Sequence, residues 1–196
     1  MELLQFIQRI DVEIIKFIDG LHGPVLDFLA PILSLFGDYG IFWILCAAAF
    51  ICVPKTRRMG FTMGLALLMG VILGNAVLKN LIARPRPYAL EELSYLADKL
   101  LVPTPWDYSF PSGHSLASFE AAVPMLIMNK KYGIPAIVLA ALISLSRIYL
   151  CVHFPSDVIA GALLGTAFAL ISYFIFKALY KKFDLERRLL LPFERK

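Results

Sequence analysis

Apolar runs about the length of a bilayer-crossing helix dominate this chain. Such a helix needs about 20 mostly apolar residues, within a range of roughly 17–25. The stretches 59–79, 113–129, 133–152 and 156–177 meet that requirement, and 39–54 falls slightly short of it. A further run, 22–37, carries Asp27 and two prolines, so it is expected to tilt, kink or reach only part-way. Residues 3–18 differ in pattern. Leu3, Phe6, Ile7, Ile10, Ile14 and Phe17 recur at helical spacing among Gln8, Arg9, Glu13 and Lys16. That periodicity predicts an amphipathic helix lying in the membrane interface. The expected architecture is all-α: a six-transmembrane-helix bundle forming one domain over 1–196. Residues 1–20 form the interfacial helix, 22–177 the transmembrane core and 178–196 a basic cytoplasmic tail. Glycines four apart, at Gly60/Gly64, Gly70/Gly74 and Gly161/Gly165, predict close helix packing.

Composition supports lipid as the main solvent. Of the 196 residues, 59% are apolar and 17% charged, against roughly 45–50% and about 25% in soluble domains. The mean hydropathy is +0.73, which excludes disorder and a soluble globule of this size. The net charge of +4 does not point to nucleic acid, because the basic residues flank the apolar runs. Cys46, Cys52 and Cys151 lie inside those runs without paired spacing, so no disulfide framework or zinc site is expected. Asp11 and Glu13 interrupt the first apolar stretch, which does not read as a cleavable signal.

Charge also orients the chain. Alternating spans put Lys55, Arg57, Arg58, Lys130, Lys131 and the seven basic residues from Lys177 onward on one face, twelve of 19 in all. The positive-inside rule makes that face cytoplasmic, in a plasma membrane. Ionisable residues cluster in three stretches at span ends on the opposite, extracytoplasmic face. They are Lys79 to Arg86-Pro87, Pro111-Ser112-Gly113-His114, and Ser146-Arg147 followed by His153 and Asp157. Ionisable groups at such depths are costly and are functional candidates by default.

The residue types point to phosphate. Lys79, Arg86 and Arg147 supply three cations, and guanidinium matches phosphate oxygens in a bidentate fork. Ser112 and Gly113 open a helix whose N-terminus favours an anion. One histidine can attack phosphorus while the other protonates the leaving oxygen. His153 precedes Asp157 by four residues, close enough for the carboxylate to hold the ring's second nitrogen. Three adjacent cations argue against a metal. Arg84 is assigned no direct phosphate role. Glu120 lies six residues beyond His114, roughly 9 Å deeper at 1.5 Å per residue. It is expected to pair with Asn75 or Ser144 and to hold neighbouring spans in register.

In order, Lys79-x6-Arg86-Pro87, Pro111-Ser112-Gly113-His114 and Ser146-Arg147-x5-His153-x3-Asp157 resemble the three signature motifs of the type 2 phosphatidic acid phosphatase (PAP2) superfamily. The resemblance implies a six-helix membrane fold with a PAP2/haloperoxidase-like core and a phosphatase that needs no metal or other cofactor. It implies His153 as a nucleophile forming a phosphohistidine, Asp157 as its orienting acid and His114 as general acid. Lys79, Arg86, Ser112, Gly113 and Arg147 would bind phosphate. The soluble vanadium haloperoxidases share the pattern, but the hydropathy points away from them.

An outer-face site admits a lipid phosphate laterally from the bilayer. Leu93, Leu96 and Leu100 predict a short amphipathic helix there, and Trp106, Tyr108 and Phe110 add interfacial aromatics. Compact loops and the lack of any Asn-x-Ser/Thr acceptor suit a bacterial plasma-membrane protein. Undecaprenyl diphosphate is the first expectation for substrate, with phosphatidylglycerol phosphate and phosphatidic acid as alternatives. The expected partners are the lipid substrate and the bilayer, with no nucleic acid and no obligate protein partner. An anion-binding transporter is the rival class. It would carry its polar residues at the midplane, whereas here they lie at span ends.

Overall fold

The computed structural model describes residues 2–183, and every regular element among them is helical. The 3–18 periodicity folds as α1 (Glu2–Asp19). Its packed side holds Asp11, Val12 and Ile15, while Leu3, Phe6, Ile10 and Phe17 point away from the bundle. Next, α2 (Pro24–Leu35) begins with proline at a first-turn position, where its missing N–H costs nothing. Tyr39 and Gly40, both left-handed, then turn the chain into α3 (Ile41–Cys52).

Each of these two helices has 12 residues, about 18 Å at 1.5 Å per residue, short of a hydrocarbon core about 30 Å thick. The Gly23 N–H donates to the Tyr149 hydroxyl, Ala30 packs on Leu150 and Val152, and Ser34 accepts from Arg147. Both ends of α2 therefore lie beside the same end of the helix that carries Arg147 and Tyr149. The expected span over 22–37 is not a complete crossing. Asp27 explains why: it accepts from the Tyr149 hydroxyl at 2.6 Å and pairs with His22 at 2.8 Å, which ties the start of α2 to that end. The run Pro24–Cys52 as a whole is long and apolar enough for one crossing.

Helix α4 (Arg57–Met69) continues without a break through a π-helical stretch, Gly70–Leu78, into α5 (Lys79–Ile82). Left-handed Ala83 ends it. Short 3-10 turns follow at Pro87–Ala89 and Glu91–Lys99. The expected amphipathic segment near 93–100 is this second turn. Its Leu93 and Leu96 are buried against Val12 and Ile15 of α1. Then come α6 (Gly113–Met128), α7 (Lys130–Tyr149) and α8 (Pro155–Phe183). By length and composition, Pro24–Cys52, Pro54–Ala89, Lys130–Tyr149 and Pro155–Lys182 can each cross a membrane. The expected tail over 178–196 begins as the last turns of α8. Residues 184–196, with Arg187, Arg188, Arg195 and Lys196, lie outside the described residues.

Helix α6 is the hub, packed against α4, the π-helical stretch, α7 and α8. Small residues permit this. A Cβ on Gly161 would stand 2.6 Å from the Ser112 carbonyl oxygen, and one on Gly165 2.5 Å from that of Leu116. On the other flank, a Cβ on Gly74 would stand 2.3 Å from the Leu116 side chain. Gly60 is as closely packed, against the backbone of α3, but Gly64 faces open space. The backbones of α6 and α8 thus lie in direct contact, which brings the start of α6 beside the start of α8. Replacing Gly165 by valine should force these helices apart at a cost of about 1–3 kcal/mol. The expected result is a clearly lower melting temperature of the detergent-solubilised protein; an unchanged one would mean that the contact gives way without strain.

Candidate active site

Lys79 opens α5, Arg86 follows in the extended Arg84-Pro85-Arg86-Pro87 segment, Ser112 caps α6, and His153 lies in the turn between α7 and α8. The helix ends bring these separate stretches around one cavity of about 610 Å³. Lys79, Arg86, Gly113, His114, Arg147 and His153 line it. Ser112 and Asp157 are not in that lining; both are fully buried, and the Ser112 N–H donates to the Asp157 carbonyl at 3.1 Å. All eight expected residues are therefore brought together, six on the cavity wall and two outside it.

The histidines are held differently. His153 is 1% exposed. Its Nε2 lies 3.2 Å from Arg86 Nη1, and its Nδ1 lies 3.7 Å from Asp157 Oδ2. The expected direct His153–Asp157 hydrogen bond is too long at that distance. The Ser109 hydroxyl sits between them, donating to Asp157 Oδ2 at 2.6 Å and lying 3.4 Å from His153 Nδ1. Burial holds the His153 pKa well below the usual imidazole range, and Arg86, Arg147, Lys79 and His114 add to the effect. The ring is therefore neutral at pH 7, with a lone pair available. Across the cavity, His114 Nε2 pairs with Asp38 Oδ1 at 2.8 Å, and Ser34 Oγ lies 3.4 Å away. Gly37 makes room for this ring: a Cβ there would stand 2.4 Å from His114 Cδ2.

Asp107 has a central place that sequence reasoning missed. Its Oδ2 accepts from Lys79 Nζ at 2.6 Å and its Oδ1 from Arg86 Nη2 at 2.6 Å, while its carbonyl accepts from Arg86 Nε at 2.8 Å. Burial alone would raise its pKa, but Lys79 and Arg86 outweigh that and bring it to about 2. A carboxylate thus stands between two of the three expected phosphate cations. Arg147 is left with less: Nη1 donates to Ser34 Oγ, and its buried Nε has no partner among the described residues. The segment that carries Asp107 has no regular structure, so no periodicity in the sequence pointed to it.

Arg84 belongs to a separate cluster outside the cavity wall. Its guanidinium binds Asp157 Oδ1 at 2.5 Å, Asp11 Oδ2 at 2.7 Å, Gln8 Oε1 at 2.6 Å and Ser156 Oγ at 2.7 Å. It also stacks 4.2 Å from the Phe154 ring centroid. Glu120 lines the cavity but makes neither expected bond. Its carboxyl lies against Gly70, in the space a Cβ there would fill, and Glu120 Oε1 and Ser144 Oγ both lack hydrogen-bond partners among the described residues.

Residues 58–181 match the model of the PAP2 superfamily. The chain belongs to that superfamily. The undecaprenyl-diphosphatase of Sulfolobus acidocaldarius is 37% identical over 163 residues, 83% of this chain and 76% of that protein. A crystal structure of Aquifex aeolicus LpxE superposes with a TM-score of 0.66 at 30% identity, covering 82% of this chain and 92% of the other. The PAP2 type phosphatidylglycerolphosphate phosphatase of Bacillus subtilis gives a TM-score of 0.65 at 28% identity, with coverage of 90% and 87%. As a PAP2 protein with these relatives, the chain is a membrane lipid phosphatase.

Proposed function

We propose that this PAP2 protein removes the terminal phosphate of undecaprenyl diphosphate, leaving undecaprenyl phosphate, through a phosphohistidine on His153. The observation that carries the reading is a cavity whose wall holds two histidines in different environments together with Lys79, Arg86 and Arg147. The substrate assignment rests on the similarity to the Sulfolobus acidocaldarius protein over 83% of the chain. Lys79, Arg86, Arg147 and the α6 N-terminus at Ser112–Gly113 bind the terminal phosphate. His153 Nε2 attacks phosphorus, a P–N bond forms, and the bridging P–O bond breaks. His114 protonates the departing lipid phosphate oxygen. Water then attacks phosphorus, His114 takes its proton, the P–N bond breaks and inorganic phosphate leaves. No step calls for a metal. Asp157, through Ser109, positions His153 and balances the cationic ring that phosphorylation creates.

The chain crosses the bilayer five times in this reading, the first crossing falling within the run Pro24–Cys52, with α1 in the interface on the site's side. That revises the six crossings expected from hydropathy. Lys55, Arg57, Arg58, Lys130, Lys131, Lys177, Lys181 and Lys182 fall at the end away from the site. The positive-inside rule makes that end cytoplasmic and the site extracytoplasmic. The whole chain acts as one domain.

Phosphate release in detergent with EDTA tests the reaction. Undecaprenyl diphosphate should show a higher kcat/KM than phosphatidylglycerol phosphate or phosphatidic acid. His153→Ala should lower kcat by up to about 10⁶, as nucleophile loss does in comparable sites. Substantial turnover by the folded variant, or dependence on added Mg²⁺, would overturn the mechanism. Substrate phosphate has to take over the cations now held by Asp107. Asp107→Asn should therefore tighten competitive inhibition by orthovanadate about tenfold, or ~1.4 kcal/mol; weaker inhibition would instead make Asp107 a residue that orients Lys79 and Arg86. For topology, single cysteines at Gln5 and Thr104 on a cysteine-free background should react with an impermeant reagent in intact cells, and one at Lys131 should not. Protection of Gln5 with labelling of Thr104 would restore a sixth crossing.

A further inference from the structure

We propose that Asp11, on the N-terminal helix, is a positioning residue for this phosphatase: its charge neutralises Arg84, so that Asp157 stays an effective counter-charge for the His153 ring. The inference rests on the phosphohistidine reading above.

Asp157 does not face His153 alone. Its other oxygen receives Arg84 Nη1 at 2.5 Å, and an isolated Arg84–Asp157 pair would be neutral. Asp11 changes that balance. It is 2% exposed, and its Oδ2 receives Arg84 Nη2 at 2.7 Å. One guanidinium between two carboxylates leaves the cluster with a net charge of −1, in surroundings where charge is weakly screened. The His153 ring needs that charge. When Nε2 bonds to phosphorus the ring becomes cationic, and Arg86, Arg147 and Lys79 already surround it. Asp107 is committed to Lys79 and Arg86, Asp38 to His114. The phosphoryl group answers the remaining site cations. The counter-charge for the ring therefore comes from the Asp157 side, relayed by the Ser109 hydroxyl.

Asp11 also accepts from the Ser156 N–H at 3.0 Å and from the Ser156 hydroxyl, which fastens α1 to the start of α8. A purely structural clasp would act through those bonds, and charge distinguishes the two roles. Asp11→Asn keeps an acceptor for the Ser156 N–H and removes the charge, leaving Arg84 and Asp157 as a neutral pair. Adding Arg84→Gln removes the guanidinium as well, so the cluster returns to −1 while losing more hydrogen bonds.

The experiment measures kcat, KM and melting temperature of the full chain in detergent, with undecaprenyl diphosphate as substrate. Asp11→Asn should lower kcat about tenfold to a hundredfold and change KM less than twofold, because Asp11 touches no substrate. The double variant Asp11→Asn/Arg84→Gln should recover most of that kcat despite a lower melting temperature. Asp11→Glu, which keeps the charge, should retain turnover. The inference is overturned if Asp11→Asn turns over like wild type, or if a folded double variant is no faster than the single one. It is also overturned if folded Asp11→Glu is as slow as Asp11→Asn. Should Asp11→Asn not fold, the double variant and Asp11→Glu are compared with wild type instead: each should keep most of its kcat, and a loss of about tenfold or more in either folded variant overturns the inference. Failure of the underlying reading looks different: the wild type itself would release no phosphate, or His153→Ala would keep its turnover.

Discussion

A charge out of water must be answered by another charge, and this requirement organises the catalytic end of the molecule. Four cations, Lys79, Arg84, Arg86 and Arg147, are packed beneath the surface of a chain whose main solvent is lipid. They are answered unequally. Arg84 has two carboxylates, Asp11 and Asp157, and two further acceptors. Lys79 and Arg86 share the one carboxylate of Asp107. Arg147 has a serine hydroxyl and an Nε without a partner among the described residues. The deficit of negative charge is therefore greatest where the cavity wall lies, and in the proposed reading a substrate phosphate removes it.

The helix packing exists to hold that unequal distribution. The glycines of α8 let its first turn sit beside the first turn of α6, so that Asp157 and Ser112 are joined through the backbone. The turn at Tyr39–Gly40 returns the chain after α2 so that Ser34 and Asp38 reach Arg147 and His114. The π-helical stretch ends at Leu78, immediately before Lys79. Wider helical turns are frequent at functional sites, where they re-aim the residues that follow. None of these devices makes a large apolar contact of its own. Their effect is angular, and they set which side chains face the cavity.

Much of this was legible in the residues because the cost of intramembrane charge is so high. Lys79, Arg86, Arg147, His114, His153 and Asp157 stand out in apolar surroundings, and the three motifs that contain them carry the family likeness. The glycine pairs announced close packing, although Gly64 turned out to face open space. What was not legible was mostly pairing. Asp107, Asp38 and Asp11 lie outside the three motifs, among apolar and aromatic neighbours that name no partner, and only the fold brings them to Lys79, His114 and Arg84. The same limit explains Glu120, whose depth suggested partners that the packing does not supply. The first apolar run is a case where the sequence did carry the signal: Asp27 and two prolines marked 22–37 as able to reach only part-way, and Asp27 ties the start of α2 to Tyr149.

Recognition of phosphate and recognition of lipid fall on different residues of the same cavity. In the proposed reading the cations and histidines deal with a phosphoryl group whatever it is attached to, because charge and fork geometry read oxygens alone. The apolar part of the remaining wall includes Pro31, Leu35, Ile44, Leu67 and Val71, with Trp106 on the 101–108 segment. Of these, Trp106 is 90% exposed and belongs to the segment that carries Asp107. In the proposed reading a substrate phosphate competes with Asp107 for Lys79 and Arg86, while the segment stays held by the Tyr88 hydroxyl on the Pro105 carbonyl and by Ser109 on Asp157 and on the Arg84 carbonyl. A change of substrate within this family can then arise in the apolar wall and the 101–108 segment while the motif residues stay as they are.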